Sequence, residues 1–450
     1  MPADKYDVLI LGGGNAGMAV TMPTRAAGLS VAMVEQGLLG GTCPNRGCTP
    51  KKVLVAAGHV LHGSERAGAH AISVGEPRLD WAALIDREKQ MIGHIPGSLA
   101  RLMKHRGVEV IYGHAAFVGP NAVRVGDHVI EARNIVIATG SKPRPLPIGG
   151  AELMITSDDV LSDRQQLRDV TFVGGGVIAL ELGHIYARAG TKVTILEVLP
   201  QLLPTMDADA VAQIRAENER IGIDVKTGVK VNRVDSRNGR VHVSFERAGT
   251  TLEIEADRVV NGAGRVPNIE ALNLEIGRIR HRQGRIEIDE YLRSISNPSV
   301  HVCGDVLWSS AQLSPIATYE GRIVGRNLVE GPVAKPDYVS IPSAVYTVPA
   351  LASVGLTEAK ARELGHKIKV HANDMSDWLS SRTYNEPVAW AKVIVDVTSD
   401  RVLGAHIVGH AGEELIHIFA LAMKFGITAS EIRETIYAFP TFSADIKSML

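Results

Sequence analysis

Cysteine is scarce in this chain. Three cysteines in 450 residues is an odd, low count, and it excludes a secreted scaffold stapled by disulfides. An excess of one charge sign is also missing. The net charge of −1 gives no footing for a strongly basic binder of nucleic acid or of a membrane surface. No apolar run reaches the ~18 residues that a spanning helix needs, so no membrane segment is expected. The opening "MPADKYDVLILGGG" lacks the charged start, apolar stretch and small-residue cleavage site of a signal peptide, which leaves a cytoplasmic setting as the expectation. Aromatic residues make up only 4%. What remains is ordinary globular composition, 45% hydrophobic and 22% charged, in a chain long enough for about two to four domains. Glycine is plentiful at 45 residues, which points to tight turns and close backbone approaches.

Two of those glycine clusters form a pair. "KYDVLILGGGNAG" is an apolar strand pattern running into Gly12, Gly14 and Gly17, followed by a helical pattern and a second strand, "SVAMVE", that ends at Glu35. "RDVTFVGGGVIALELG" repeats the unit with Gly174, Gly176 and Ala179, and its second strand, "KVTILE", ends at Glu197. Each acid stands 23 residues beyond the first glycine of its own cluster. Such glycines let the backbone turn sharply and approach a pyrophosphate at a helix N-terminus, and the acid reaches a ribose hydroxyl. One G-x-G-x-x-G is a weak signal, whereas two in full strand–helix–strand–acid context predict two dinucleotide sites. The usual purpose of two is hydride transfer between a nicotinamide and a flavin. The N-terminal site, ahead of the cysteine pair, suits FAD. Glu197 would accept from a 2′-hydroxyl and repel a 2′-phosphate, and "VLPQLL" after it holds no arginine, so NADH is favoured over NADPH.

"GGTCPNRGCTPKK" carries Cys43 and Cys48. No second Cys/His group stands at ligand spacing to close a tetrahedral zinc site, so no metal is expected and redox chemistry fits better. Five residues advance about 7.5 Å along a regular helix, and Cα atoms more than about 7 Å apart cannot be bridged. A Cys43–Cys48 bond therefore requires an irregular first turn, which Pro44 and Gly47 permit. Thiols at a helix start beside Lys51 and Lys52 should be acidic and reactive. Cys303, at the end of an apolar run, reads as a packing residue.

With these stretches in view, the chain resembles the flavoprotein disulfide reductases, among them glutathione reductase, dihydrolipoamide dehydrogenase and mercuric reductase, over essentially its whole length. "GGTCPNRGCTPKK" is similar to their redox-active stretch, "VIATGSKPR" and "VHVCGDV" to further flavin motifs, "GAGRVPN" to the stretch beside the nicotinamide nucleotide, and "LSPIATYEGR" to the helix start under the flavin ring. The resemblance implies an α/β fold with two Rossmann-like dinucleotide-binding domains, for FAD and NAD(P), plus a C-terminal α+β dimerisation domain. The expected segments are 1–149 and 267–335 for FAD, 150–266 for NAD(P) and 336–450 for dimerisation. It implies FAD contacts at Gly41, Thr42, His114, Thr139, Gly140, Asp305 and Ala317, and a nucleotide contact at Gly264. Cys48 would face the flavin as the charge-transfer thiolate, Cys43 would exchange with substrate, and Lys51 would pair with Glu181. Val177 stands where several relatives carry a gating tyrosine.

The resemblance breaks near the C-terminus. Relatives close with His-Pro-Thr and a Glu five residues after the His, supplied by the partner subunit as the acid/base. This chain has Phe439, Pro440, Thr441 and, in the Glu position, Ala444. Val348 and Ala350 likewise fall where relatives commonly have His and Glu. Phenylalanine carries no proton, and general acid/base catalysis contributes about 10²–10⁴-fold. A phenylalanine here also resembles 2-ketopropyl-coenzyme M oxidoreductase/carboxylase, which cleaves a thioether and traps the carbanion with carbon dioxide, although Ala444 departs from the histidine found there. His406, His410 and His417 are weak substitutes for a base. The expected function is an NAD(P)H-driven, FAD-dependent oxidoreductase acting through Cys43–Cys48 on a small-molecule disulfide as a homodimer. Thioether cleavage and a slow redox sensor are the alternatives.

Overall fold

The computed structural model describes residues 4–308 and 311–450. The chain divides into two compact units. One comprises Met1–Lys51, Asp86–Arg144 and Arg265–Asp337; the other comprises Lys52–Ile85, Pro145–Gly264 and Tyr338–Leu450.

The first unit is built on a sheet whose parallel part runs in the order Val108–Tyr112, Val31–Glu35, Asp4–Leu11, His128–Ile137, with Val300–Val302 beside the end of the last. Val8, Leu9, Ile10 and Leu11 are all buried, the continuous apolar run of a parallel strand covered on both faces. Ala115–Gly119 and Ala122–Val125 add an antiparallel hairpin. Helices Asn15–Ala26 and Ser314–Glu330 pack side by side. Their approach is close because Gly321 has no side chain: a Cβ there would lie 2.2 Å from the Ala16 carbonyl oxygen. That contact brings the two helix starts together, and the amide of Asn15 donates to the Ser314 hydroxyl.

The second unit contains a parallel sheet ordered Asp224–Thr227, Lys192–Glu197, Asp169–Val173, Arg258–Asn261, with helix Val177–Arg188 following its glycine turn. Its C-terminal part is an antiparallel sheet ordered Ser343–Val345, Ala350–Gly355, Val402–Gly409, Trp390–Asp396, Ile368–Asp374, with helix Gly412–Phe425 against it. Buried ion clusters fasten these parts. Lys392 lies 3.0, 2.5 and 3.1 Å from Asp207, Asp209 and Glu358. Arg188 holds Glu65 at 3.0 Å, Glu217 at 2.8 Å and the Val348 carbonyl at 2.9 Å. Such clusters are costly to break rather than strongly stabilising, since removing one partner strands a buried charge at about 3–5 kcal/mol. Among the described residues no helix is long and apolar enough to cross a membrane.

Candidate active site

In the first unit the strand Asp4–Leu11 ends in the first glycine cluster. Gly12 has φ +113°, and a Cβ on it would sit 2.3 Å from the Ala138 carbonyl oxygen. A Cβ on Gly17 would sit 2.0 Å from the Gly12 carbonyl oxygen, whereas one on Gly14 would meet nothing nearer than 3.9 Å. The outer two glycines therefore serve the chain's own packing. The middle one leaves backbone open to a ligand, as a pyrophosphate requires. Glu35, nearly buried, is bound at both oxygens: Gly13 N–H donates to Oε2 at 2.8 Å and Gly37 N–H to Oε1 at 2.7 Å. A carboxylate retains further lone pairs for a ribose hydroxyl. Gly113 N–H donates to the Glu35 carbonyl at 3.0 Å, which places His114 beside this strand end.

The other FAD-directed residues belong to the same unit. Thr139 Oγ1 is buried without a hydrogen-bond partner, an orphaned hydroxyl that a bound group would satisfy. Gly140 follows with φ +67°. Asp305 accepts from the Ser141 hydroxyl at 3.4 Å, and burial raises its carboxyl above the ordinary value against the charge of Arg265. Gly304 N–H donates at 2.7 Å to Glu320, which is fully buried on the helix that also carries Ala317. The open middle glycine, the orphaned hydroxyl and the half-buried carboxylate fit FAD. Glu320 was missed in the sequence because its glycine partner lies 16 residues away and no motif joins them.

The cysteine stretch has the irregular turn that its spacing demands. Helix Thr42–Arg46 stops, Gly47 adopts φ −143° and ψ −114°, and a new helix runs Cys48–Glu65. A Cβ on Gly47 would lie 3.0 Å from the Thr42 carbonyl oxygen. The break brings the two sulfurs into hydrogen-bonding reach as free thiols. Cys48 S–H donates to Cys43, and this bond, aided by the Ser314 hydroxyl and the Asn15 amide, holds the Cys43 thiol down at about 6 despite burial and the charge of Asp305. The same bond and burial push the Cys48 thiol well above the usual range, with Lys51 opposing. The pair thus shares one proton, carried on Cys48. Asn15 and Ser314 were also missed. Their available signals were an Asn inside the glycine cluster and a Ser-Pro opening a helix. Cys303 is fully buried, and burial lifts its thiol well above the usual range, as a packing residue.

The second unit repeats the loop geometry. Gly174 has φ +104° and a Cβ there would lie 2.5 Å from the Gly262 carbonyl oxygen, while one on Gly176 meets nothing nearer than 3.7 Å. Ala179 is fully buried. Glu197 accepts from Gly175 N–H at 2.5 Å and Leu199 N–H at 2.7 Å. Gly264 has φ +93° in the loop after Asn261. Glu181 is buried on the helix and accepts from Tyr346 N–H at 2.9 Å. Val177, the first residue of that helix, is exposed.

Near the C-terminus Phe439 is 77% exposed and Ile436 97%, with Phe425 and Leu421 also exposed. Ala444 is buried and its N–H donates to Thr441 Oγ1 at 3.1 Å. Val348 and Ala350 are buried, and Val348 N–H donates to His184. His406 uses both ring nitrogens, on Ser353 at 3.0 Å and the Leu356 carbonyl at 3.1 Å, and burial lowers its pKa, so it is structural. His410 is bound to Glu386 at 3.1 Å and stacks on Tyr384 and Phe442. Burial alone would raise the Glu386 carboxyl, but hydrogen bonds from His410, His62 and Arg66 hold it well below the usual carboxylate range. His417 is exposed on its helix.

Residues 6–321 match the family model described as pyridine nucleotide-disulphide oxidoreductase, and residues 341–450 match that family's dimerisation domain. The chain is 32% identical over 445 residues to a glutathione reductase of Burkholderia cepacia, covering 99% of this chain and 98% of that one. It is 34% identical over 454 residues to a dihydrolipoyl dehydrogenase of Thermus scotoductus, covering 97% and 95%. Among solved structures it is similar to a Cu(II) complex of the HOCl-induced flavoprotein disulfide reductase RclA from Escherichia coli, with a TM-score of 0.89, 28% identity and 99% of each chain covered.

Proposed function

The chain belongs to the pyridine nucleotide-disulfide oxidoreductase family, and from that premise we propose that it uses NADH and passes electrons through Cys43–Cys48 to an acceptor reduced without a histidine acid/base. Membership makes it an FAD- and NAD(P)H-dependent flavoprotein oxidoreductase with a dimerisation domain, and the exposed apolar residues of that domain suit burial against a second copy. FAD, when bound, relays two electrons between nicotinamide and disulfide. Gly14, Thr139 and Asp305 would hold it, and Gly176, Glu197 and Gly264 would hold the nicotinamide nucleotide.

The observation that carries the reading is the thiol pair across the Gly47 break, with the two sulfurs in hydrogen-bonding reach of each other. Glu197 supports NADH because a 2′-phosphate would meet its charge. On the resemblance we assign Cys48 the flavin-facing place and Cys43 the outer one; the Cys43 thiol, acidic enough to ionise at neutral pH, is the nucleophile of the pair, so the charge-transfer thiolate expected at Cys48 is not carried over. Lys51 and Glu181 keep the roles given to them above. Phe439 supports chemistry without proton transfer at its position, and that same residue favours the thioether-cleaving alternative.

The test is NADH and NADPH oxidation by the purified holoenzyme against disulfides, quinones, a ketopropyl thioether and Cu(II), the last because RclA is described in complex with it. NADH should exceed NADPH in kcat/KM by about tenfold or more. Failure of every acceptor to oxidise the Cys43–Cys48 dithiol would refute the reading, and acetone from the thioether would select the alternative.

A further inference from the structure

Three hydrogen bonds converge on Cys43, from the Cys48 thiol, the Ser314 hydroxyl and the Asn15 amide. Asn15 and Ser314 are the first residues of helices of 12 and 17 residues, and the close contact of those helices at Gly321 fixes their side chains together as donors beside the sulfur. The charged groups bearing on the pair are Asp305, which opposes ionisation of Cys43, and Lys51, which favours that of Cys48. No imidazole is among these groups, and the position from which relatives supply one across the dimer carries Phe439 in this chain. The Cys43 thiol is thus activated by fixed side-chain donors, one of them the Cys48 S–H.

We propose that the exchange half-reaction prefers disulfides of acidic thiols, whose first leaving group departs as a stable anion, over disulfides of ordinary alkyl thiols such as oxidised glutathione. The proposal rests on the reading of Cys43–Cys48 as the redox pair. In the first step the Cys43 thiolate attacks one sulfur of Y–S–S–Y. Its electron pair forms the Cys43–S–Y bond, and the electrons of the broken S–S bond leave with YS⁻. In the second step Cys48 attacks the Cys43 sulfur, closes the intramolecular disulfide and expels the other half, which takes the Cys48 proton and leaves as YSH. Two electrons and one proton pass from the pair to the acceptor. Only the first departure lacks a proton donor, so its rate should follow the acidity of YSH. A positioned acid would flatten that dependence, because protonation makes a poor leaving group leave nearly as well as a good one.

The experiment is single turnover of the phosphine-reduced protein, freed of reductant. It is mixed with 5,5′-dithiobis(2-nitrobenzoate), 4,4′-dithiodipyridine, bis(2-hydroxyethyl) disulfide and oxidised glutathione. Release of the first thiolate is timed and ring closure is read by mass. The slope of log rate against leaving-thiol pKa is compared with that of free 2-mercaptoethanol thiolate. The expected result is an equal slope and a gap of about 100-fold or more between the aryl disulfides and oxidised glutathione. A slope clearly flatter than that of the free thiolate overturns the proposal, as does an undiminished fast phase in Cys43→Ser. No nicotinamide is present in this assay. A preparation in which NADH fails to reduce the pair would sink the function proposed above, while the slope still decides this inference.

Discussion

Glu197 grips Gly175 as Glu35 grips Gly13. In each nucleotide loop a carboxylate at the end of the second strand accepts the N–H of the cluster's middle-run glycine, at 2.5 and 2.8 Å, and its other oxygen accepts the N–H two residues further along the chain. The acid proposed to read a ribose hydroxyl is also the clasp that fixes the loop.

Glu197→Ala should therefore do two things at once. It removes the charge that opposes a 2′-phosphate, so the NADH/NADPH ratio of kcat/KM should fall about tenfold. It also strands two backbone N–H donors, costing about 1–3 kcal/mol of stability. Steady-state kinetics with both nucleotides and a thermal melt read the two effects. A ratio that stays constant would remove Glu197 from the specificity argument.

Gly47→Ala places a Cβ 3.0 Å from the Thr42 carbonyl oxygen and 3.1 Å from Thr42 Cγ2. The kink must open, parting the sulfurs, with about 1–3 kcal/mol lost to overpacking. After diamide treatment, alkylation and mass spectrometry should find the Cys43–Cys48 bridge slowed at least about tenfold. Unchanged closure would mean that the break is not what brings the thiols together.

Alkylation of Cys43 by iodoacetamide should titrate with a midpoint of about 6. Ser314→Ala removes one of the donors that favour the thiolate, so the midpoint should move toward the ordinary thiol value. A profile centred near an unperturbed cysteine in the wild-type protein would contradict the convergence of donors on this sulfur.

Acid should destabilise the protein well before its carboxylates titrate. His184 is fully buried, accepts from Val348 N–H and bonds Asn218 at 2.7 Å. Burial holds both His184 and His301 down to about 4. Unfolded, each would titrate near 6.5, so the unfolded chain binds more protons between those values. The stability is complete above pH 6.5 and is lost as pH falls toward 4, on the order of 3 kcal/mol for each imidazole. Urea midpoints at pH 7.5, 6 and 5 should decline in that order, and a flat series would count against neutral burial of both rings.

Much of the site was legible because its logic is local. Glycine turns, a strand-end acid and a five-residue cysteine spacing are short-range constraints, and the irregular turn at Gly47 followed once a Cys43–Cys48 bond was supposed. The family was legible from the same stretches. What stayed hidden depends on tertiary packing. Asn15 and Ser314 lie 299 positions apart, and only the glycine-mediated contact of their helices brings them to one sulfur. Glu386, with His62, Arg66 and His410 gathered from three distant segments, gave no sequence signal either. The clasp role of Glu35 and Glu197 was masked by a motif that already assigned them to ribose.

A dithiol that keeps a single proton across neutral pH becomes a two-electron, one-proton couple. Its midpoint potential should then drift by only about 30 mV per pH unit rather than about 59. A cell that turns more alkaline would weaken this protein's reducing power relative to a fully protonated dithiol such as a free small-molecule reductant, whose potential falls twice as fast.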